Sequence, residues 1–205
     1  MNPDSSRGKK PQRLKERLRL ATAEAILEAA EQVLLARGLD APMEQIAESA
    51  GVAVGTLYNH FKDRRALVTA LLEQHRAKLW ADVRAAEERT ADAGIREQLT
   101  AMLTAMIFAW SKLYLVVKQT ELPDAKRRGE IRERFAKLFG PALERARKLG
   151  QVRDDPEGVH ALALHGLIQS YFTLAIDAPR RVSPERAVEL VVGTFLDGVG
   201  SARRP

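Results

Sequence analysis

Five side chains that can form hydrogen bonds stand close together between residues 56 and 62. Thr56, Tyr58, Asn59, His60 and Lys62 supply hydroxyl, amide, imidazole and ammonium groups within seven positions. Such a polar, partly basic set suits the phosphates and base edges of a nucleic-acid groove. The chain contains no G-x-x-x-x-G-K-[ST] loop, nucleophile elbow or H-E-x-x-H pair that would support catalysis. The residues therefore indicate recognition rather than a reaction.

A short helix over residues 54–61 must position these side chains. Leu57 and Phe61 are four residues apart and would bury one side of this helix, which leaves the polar residues on the other side. Another short helix is predicted over residues 43–50, and Gly51 would end it in the left-handed conformation. Two short helices joined by a glycine-containing turn predict a helix-turn-helix.

The sequence around this turn resembles a known family. Residues 46–52 read I-A-x-x-A-G-V and residues 55–61 read G-T-L-Y-x-H-F, a conjunction that resembles the helix-turn-helix of TetR-type transcriptional regulators. Residues 25–39 resemble the first helix of that family, and residues 61–68 resemble the start of its fourth helix. The motif-bearing match covers about residues 22–72, and beyond it only the layout of the helices agrees.

The resemblance implies roles for individual residues in a DNA complex. The helix over residues 54–61 would lie in a major groove, with some residues near the bases and others on the phosphates. Tyr58 and His60 are the contacts that transfer most directly from the family. The residues expected nearest the bases are Val54, Gly55 and Asn59, and those expected at phosphates are Thr56, Tyr58, His60, Lys62 and Arg64.

Two positions depart from the family pattern. A Ser or Thr is usual near residues 41–42, where this chain has Ala41 and Pro42, and a Ser is usual at residue 53, where it has Ala53. Proline suits a first helical position, and Asp40 could supply part of the cap. Losing such a cap costs about 1 kcal/mol, so the fold remains expected. Phosphate contacts by side chains 42 and 53 are not expected.

Composition limits the class of protein. The 205 residues are 45% hydrophobic and include no cysteine, which excludes disulfides and thiolate metal sites. No run approaches the roughly 18 apolar residues of a membrane span, so a soluble cytoplasmic protein is expected. The net charge of +6 suits a polyanionic partner. Residues 1–21 are basic and are predicted to be a flexible arm, either touching DNA or remaining a solvated tail.

The remaining chain predicts an all-α fold of about nine helices. A basic arm (1–21), a helix-turn-helix domain (22–65) and a larger ligand-binding and dimerisation domain (66–205) are expected. A long helix from Arg64 to about residue 90 would join the two folded domains, so any signal between them must travel through it. A further helix over residues 128–149 contains Pro141, which predicts a kink or break near Gly140.

The last two predicted helices, about residues 156–177 and 185–199, are apolar over most of their circumference. A helix without a polar face must be buried on every side, which predicts a homodimer. The resemblance implies that these two helices pair with their symmetry mates in a four-helix bundle, and the alternative is one crowded monomeric core. The residues predicted at the dimer interface are Leu164, Leu167, Tyr171, Val188, Val192, Phe195 and Val199.

Aromatic and polar-tipped residues of the body could line a ligand cavity. Plain core packing is the alternative for all of them, and a metal site between His75 and His165 is a further one. No cofactor is expected. The residues predicted to bind ligand are His75, Met102, Met106, Trp110, Tyr114, His165, Gln169 and Phe172.

These features predict a DNA-binding transcriptional regulator. The most concrete form is a homodimeric repressor that binds a palindromic operator in double-stranded DNA and is released by a small, largely apolar or aromatic ligand. The alternative is a ligand-independent DNA-binding protein that is controlled by a protein partner or acts in chromosome organisation. An enzyme is not expected, because no catalytic constellation is found.

Overall fold

The computed structural model describes residues 9–117, 125–178 and 181–199, and these residues form eight α-helices. The predicted all-α fold is confirmed, with eight helices in the described ranges where about nine were expected. The helices are α1 (Lys9–Arg37), α2 (Met43–Ser49), α3 (Val54–His60), α4 (Arg64–Arg89), α5 (Ile95–Val117), α6 (Ala125–Lys148), α7 (His160–Asp177) and α8 (Pro184–Val199).

The described residues fall into two compact units that divide between His75 and Arg76, inside α4. The first unit contains α1, α2, α3 and the first half of α4, and the second contains the rest of α4 with α5 to α8. No helix within the described ranges is both long and apolar enough to cross a membrane.

The first unit is built by packing α1 on α2 and α2 on α3. Ile26 and Ala30 of α1 and Ile46 and Ala47 of α2 are completely buried, so the two helices share one apolar seam. The small side chain of Ala47 permits close approach, because protein cores are packed as tightly as organic crystals. A larger residue at that position would push the neighbouring helices apart.

The turn between α2 and α3 depends on Gly51, whose φ of 67° lies in the left-handed region. The Gly51 N–H donates to the Glu48 carbonyl at 3.0 Å, and the Val52 N–H donates to the Ala47 carbonyl at 3.0 Å. These two bonds are the Schellman arrangement, which satisfies carbonyls that the end of a helix leaves unpaired. Glycine adopts this backbone conformation without the steric penalty of a Cβ atom.

The first helix starts earlier than the sequence predicts. α1 begins at Lys9, so the part of the predicted arm from residue 9 onward is helical rather than extended. Pro11 lies in the first turn, where its missing N–H would have had no helical partner. Lys, Arg, Gln, Glu and Leu fill most of residues 12–20, and these residues favour helix.

The second unit has one core to which α4, α5, α6, α7 and α8 all contribute. α5 packs against α8, and α6 packs against α7. The rings of Phe135 and Phe139 stack 4.1 Å apart on the inner side of α6. The fully buried residues beside them are Leu99, Met102, Leu103 and Ile107 of α5 and Leu164 of α7.

No break occurs near Gly140, since α6 runs continuously through Pro141. Proline removes one backbone hydrogen bond from a helix interior, which is why the sequence predicts an interruption. Phe135 and Phe139 before the proline and Ala142 and Leu143 after it are all buried in the same core. This packing on both sides of Pro141 compensates for the lost bond.

Candidate nucleic-acid interface

The helix α3 is held in the first unit by two apolar side chains. Leu57 is completely buried and Phe61, the residue after the helix, is 7% exposed. The Phe61 N–H donates to the Leu57 carbonyl at 2.8 Å, which closes the last turn. With this side fixed inward, the remaining circumference of the seven-residue helix faces water.

The residues predicted to contact DNA lie on that outer face. Tyr58 is 44% exposed, and Thr56 and His60 are half-buried at its edges. The face combines a phenol, an amide and an ammonium group with the small Gly55, so donors and acceptors can approach a groove closely. The exposed members of the set are Val54, Gly55, Tyr58, Asn59 and Lys62.

The short helices are not capped by side chains. Pro42 is the N-cap residue of α2 rather than its first helical residue, and Ala53 is the N-cap residue of α3. Neither helix has a side-chain hydrogen bond at its cap, so the cap proposed for Asp40 is wrong. The Thr56 and Leu57 N–H groups instead donate to the Ala53 carbonyl, at 2.9 and 3.2 Å.

Arg64 serves the fold of the first unit. Its Nη1 donates to the backbone carbonyl of Leu39, and the side chain is half-buried. The neighbouring Asp63 caps α4, because its Oδ1 accepts from the Ala66 N–H at 2.7 Å. The resemblance placed Arg64 on a phosphate, whereas the structure uses this guanidinium to tie the start of α4 to the segment between α1 and α2. Lys62 has no such tie and is exposed.

The sequence predicts His75 as a ligand-binding residue of the body, and the structure places its imidazole beside α1. It lies in the first unit, where its Nε2 is 3.4 Å from the Oε2 of Glu31 on α1. Leu67 and Leu71, the buried apolar residues of α4 that precede His75, therefore belong to the core of the first unit. No cluster of three or more metal-ligating side chains occurs within the described ranges.

The other predicted ligand residues divide into three groups. Met102 and Met106 are buried in the core of the second unit, with 0% and 3% exposure. His165 and Phe172 on α7 are half-buried, and Gln169 is exposed. The side chains of Trp110 and Tyr114 lie outside the part of the chain that the structure describes.

His165 sits at the boundary between core and surface. Its ring meets the edge of the Phe135 ring at a centroid distance of 5.1 Å. Burial, and then the nearby positive charge of Arg132, lower the pKa of His165, so its imidazole is neutral at pH 7. The Nε2 of Gln169 lies 3.2 Å from the Nε2 of His165 and donates to it.

A groove that the sequence did not predict runs along α6 and the start of α7. Its volume is about 560 Å³, and no predicted ligand residue whose side chain the structure describes lines it. The only sequence signal is the pair of glycines at its rim, which leave space beside the helices. The residues that line it are Gly129, Arg132, Glu133, Ala136, Gly158, Ala161 and Leu162.

Most of the residues predicted at a dimer interface instead fill the core of the second unit. Leu164, Val188, Val192 and Phe195 are at most 4% exposed within a single chain. They are unavailable to a second subunit in this structure, because α7 and α8 turn these side chains toward α5 and α6. Leu167 and Tyr171 are half-buried, and the side chain of Val199 is outside the described residues.

Comparison with known proteins identifies the first unit. Residues 26–71 match the family model of "Bacterial regulatory proteins, tetR family". The chain is 35% identical over 89 residues to the HTH-type transcriptional regulators TtgW and SrpR of Pseudomonas putida, which is 43% of this chain in each case. The aligned segments span 62% of TtgW and 39% of SrpR, less than two thirds of either relative.

Most of the chain also resembles solved structures in fold. One is SmeT of Stenotrophomonas maltophilia, described as the repressor of the multidrug efflux pump SmeDEF. The TM-score is 0.66 at 20% sequence identity, with 88% of this chain and 91% of SmeT covered. A structure of SmeT in complex with triclosan gives a TM-score of 0.64 at 22% identity, covering 89% and 93% of the two chains.

The different environments of Lys62 and Arg64 predict different losses on mutation. Arg64→Gln should lower the free energy of unfolding by about 1.5 kcal/mol or more, because a charged hydrogen bond to a half-buried carbonyl is lost. Lys62→Gln should change it by less than about 0.5 kcal/mol, as is usual for an exposed residue, and should weaken DNA binding instead. Urea unfolding and a DNA-binding titration measure both. If Arg64→Gln weakens DNA binding as much as Lys62→Gln while stability stays unchanged, Arg64 is a phosphate ligand.

Proposed function

Because the chain belongs to the tetR family of bacterial regulatory proteins, we propose that it is a cytoplasmic, homodimeric transcriptional repressor. It binds a palindromic operator and is released by a small, largely apolar or aromatic ligand. The observation that carries the proposal is the outer face of α3, where Tyr58, Asn59 and Lys62 are exposed while Leu57 is completely buried. Because α3 is packed against the protein on one side only, its other side can enter a DNA groove.

In the proposed complex α3 lies in the major groove. Val54, Gly55 and Asn59 approach the base edges, and the Asn59 amide can both donate and accept there. Thr56, Tyr58, His60 and Lys62 hold the phosphates on either side. Arg64 is left out of this set, because its guanidinium is engaged with the Leu39 carbonyl.

The sign of regulation and the nature of the effector rest on analogy with SmeT. SmeT is described as a repressor and has been solved with triclosan, an aromatic compound. In this chain the body supplies apolar and aromatic surface from Met102, Met106 and Phe135, with the neutral imidazole of His165 at its margin. That chemistry favours an apolar ligand with one hydrogen-bonding group over a charged one.

The proposed dimer uses the faces of α7 and α8 that point away from the core. Leu162 on α7 is 53% exposed and Leu190 on α8 is 42% exposed, so each helix has an apolar side chain available to a second subunit. Both helices also carry small side chains that allow helices to approach closely. The exposed or half-buried small residues on these faces are Ala163, Gly166, Ser170, Thr173, Gly193 and Thr194.

A binding assay with operator variants tests the role of α3. The operator is first recovered by selection from random duplexes. Tyr58→Phe should weaken binding to operator and to random DNA alike, because a phosphate contact carries no sequence information. Asn59→Ala should relax discrimination at one base position by about 1–3 kcal/mol. The groove assignment is wrong if Asn59→Ala leaves every base preference unchanged.

Two leucine substitutions test the dimer. Leu190→Glu should yield a folded monomer at micromolar concentration, since residue 190 is exposed in one chain and would bury an unpaired charge only in the dimer. Leu149→Glu is the matched control, because Leu149 is 70% exposed beyond the end of α6 and the variant should stay dimeric. Phe195→Asp should instead unfold the second unit. Analytical ultracentrifugation and circular dichroism distinguish these results, and a monomeric wild type contradicts the proposed assembly.

A bulky substitution on α5 tests where the proposed ligand binds. Triclosan is the first probe, and it should weaken operator binding of the wild type by roughly 5–150-fold, the usual range of allosteric coupling. Ala105→Phe, at a half-buried position packed on the core, should reduce that response without changing operator affinity. Thr100→Phe, at an exposed position of the same helix, should respond as the wild type does.

Two other outcomes are informative. If Ala105→Phe responds fully to an effector that works on the wild type, that effector does not bind beside α5. If no compound in a panel of aromatic and amphiphilic molecules releases the wild type from its operator, control by a protein partner replaces the ligand-released repressor.

A further inference from the structure

The charges of the first unit are segregated along the chain. Residues 22–65, which contain the helix-turn-helix, carry four Lys or Arg against seven Asp or Glu, a net charge of −3. Residues 1–21 carry seven Lys or Arg against two Asp or Glu, a net charge of +5. A protein of net negative charge is repelled by DNA at long range. The helix-turn-helix therefore needs positive charge from elsewhere in its unit.

Few of the basic residues within 22–65 are available to provide it. Arg64 is engaged with the Leu39 carbonyl, and the Nη1 of Arg37 donates to the Oε1 of Gln45 at 2.8 Å. Lys62 and Arg65 are exposed, and Lys62 adjoins the recognition face. Phosphate contacts dominate the affinity of DNA-binding proteins, so two exposed basic residues in each recognition unit are a small supply.

The N-terminal part of α1 is an ordered helix whose basic side chains can supply this positive charge. Every residue from 13 to 20 is exposed, so this stretch of helix is not covered by its own chain. Arg13, Lys15, Arg17 and Arg19 project from it, with Glu16 as the one acidic residue among them. Helical order fixes the direction of each side chain, which an extended tail would not do.

The helical repeat separates these four residues into two pairs. Arg19 lies seven residues before Ile26 and eleven before Ala30, both completely buried, and Lys15 lies one turn before Arg19, so this pair lies on the side of α1 that packs against α2. Arg17 lies seven residues before Glu24 and eleven before Glu28, which are exposed, and Arg13 lies one turn before Arg17. Only the pair of Lys15 and Arg19 therefore points to the side of α1 that packs against α2.

We infer that the basic N-terminal extension of α1 is a second DNA-binding element, in which Lys15 and Arg19 contact the phosphate backbone. The inference rests on the proposed DNA-binding function and adds an element to it. α3 reads the sequence, and the extension supplies the electrostatic attraction that residues 22–65 lack. These contacts are to phosphates, so they should strengthen binding to operator and to random DNA equally.

A membrane surface is the other polyanion that the extension could meet. Leu14 and Leu18 are 58% and 60% exposed, and a helix with exposed leucines and basic residues can lie on anionic lipid. DNA is the better partner for two reasons. The extension belongs to the same compact unit as α3, and the rest of that recognition region is negative.

The test compares two variants that lose equal charge. Lys15→Gln with Arg19→Gln removes the pair on the α2 side, and Arg13→Gln with Arg17→Gln removes the pair on the solvent side. Binding of each to a random-sequence duplex of about 40 base pairs, long enough for two half-sites one turn apart, is measured across a range of salt concentrations. Each lost phosphate contact reduces the slope of log K against log salt by about 0.9 in magnitude.

The Lys15/Arg19 variant should lose about 1.8 from that slope per subunit, and the Arg13/Arg17 variant should lose much less. Both variants should unfold at the wild-type urea concentration, because all four residues are exposed. If both variants lose equally in slope, Lys15 and Arg19 make no specific phosphate contact, and the extension attracts DNA only through its overall charge. Unchanged slopes in both, together with sedimentation of the wild type with vesicles of anionic phospholipid, assign the extension to membranes. A wild type that binds no DNA at all defeats the proposed function itself.

Discussion

The burial of Leu57 is the contact on which the recognition surface depends. A helix of seven residues is too short to be stable by itself, so α3 exists only because its inner side is packed. Leu57 and Phe61 provide that packing, and the left-handed Gly51 sets the direction in which the chain enters the helix. The same contacts decide which side chains remain outside. The proposed recognition and the packing that stabilises the unit therefore use opposite faces of one short helix.

This arrangement leaves the helix-turn-helix with little positive charge of its own. Arg64 begins α4, and its guanidinium donates to the Leu39 carbonyl. It therefore stabilises the first unit instead of contacting DNA in the proposed complex. Asp63 caps the same helix end, and it adds a negative charge beside the recognition face. In the proposed complex, attraction to DNA comes from a segment that is not constrained by the core. The exposed start of α1 has that freedom, because no residue between 13 and 20 is buried.

The features that the sequence predicted best are those made by local contacts. The two short helices, the turn at Gly51 and the exposure of Tyr58 all depend on residues a few positions apart. Spacing alone is informative there, because periodicity reports directly which side chains share a face. The family resemblance adds the class of the expected partner, DNA, which no spacing contains.

Contacts between distant segments were the ones that sequence patterns could not assign. The ion pair between Arg145 and Glu87 joins residues 58 positions apart, and the contact of His75 with Glu31 joins two different helices. An apolar residue such as Phe195 was predicted to be buried, and it is. Its pattern could not distinguish burial in its own core from burial against a second subunit, because both remove the same side chain from water.

Because the inner faces of α7 and α8 belong to the core, the proposed dimer interface consists largely of residues other than the large apolar ones that the sequence predicts. Its outward residues are mostly small, with two exposed leucines, so close approach of helix backbones must supply much of the contact area. In a two-fold interface each subunit presents the same patch, and any charge there meets its own symmetry mate or a neighbour. Arg186 and Glu189 of α8 already pair with each other at 2.8 Å. The two charges therefore compensate each other within one subunit. This pair can lie at the rim of a dimer without requiring a partner from the other subunit.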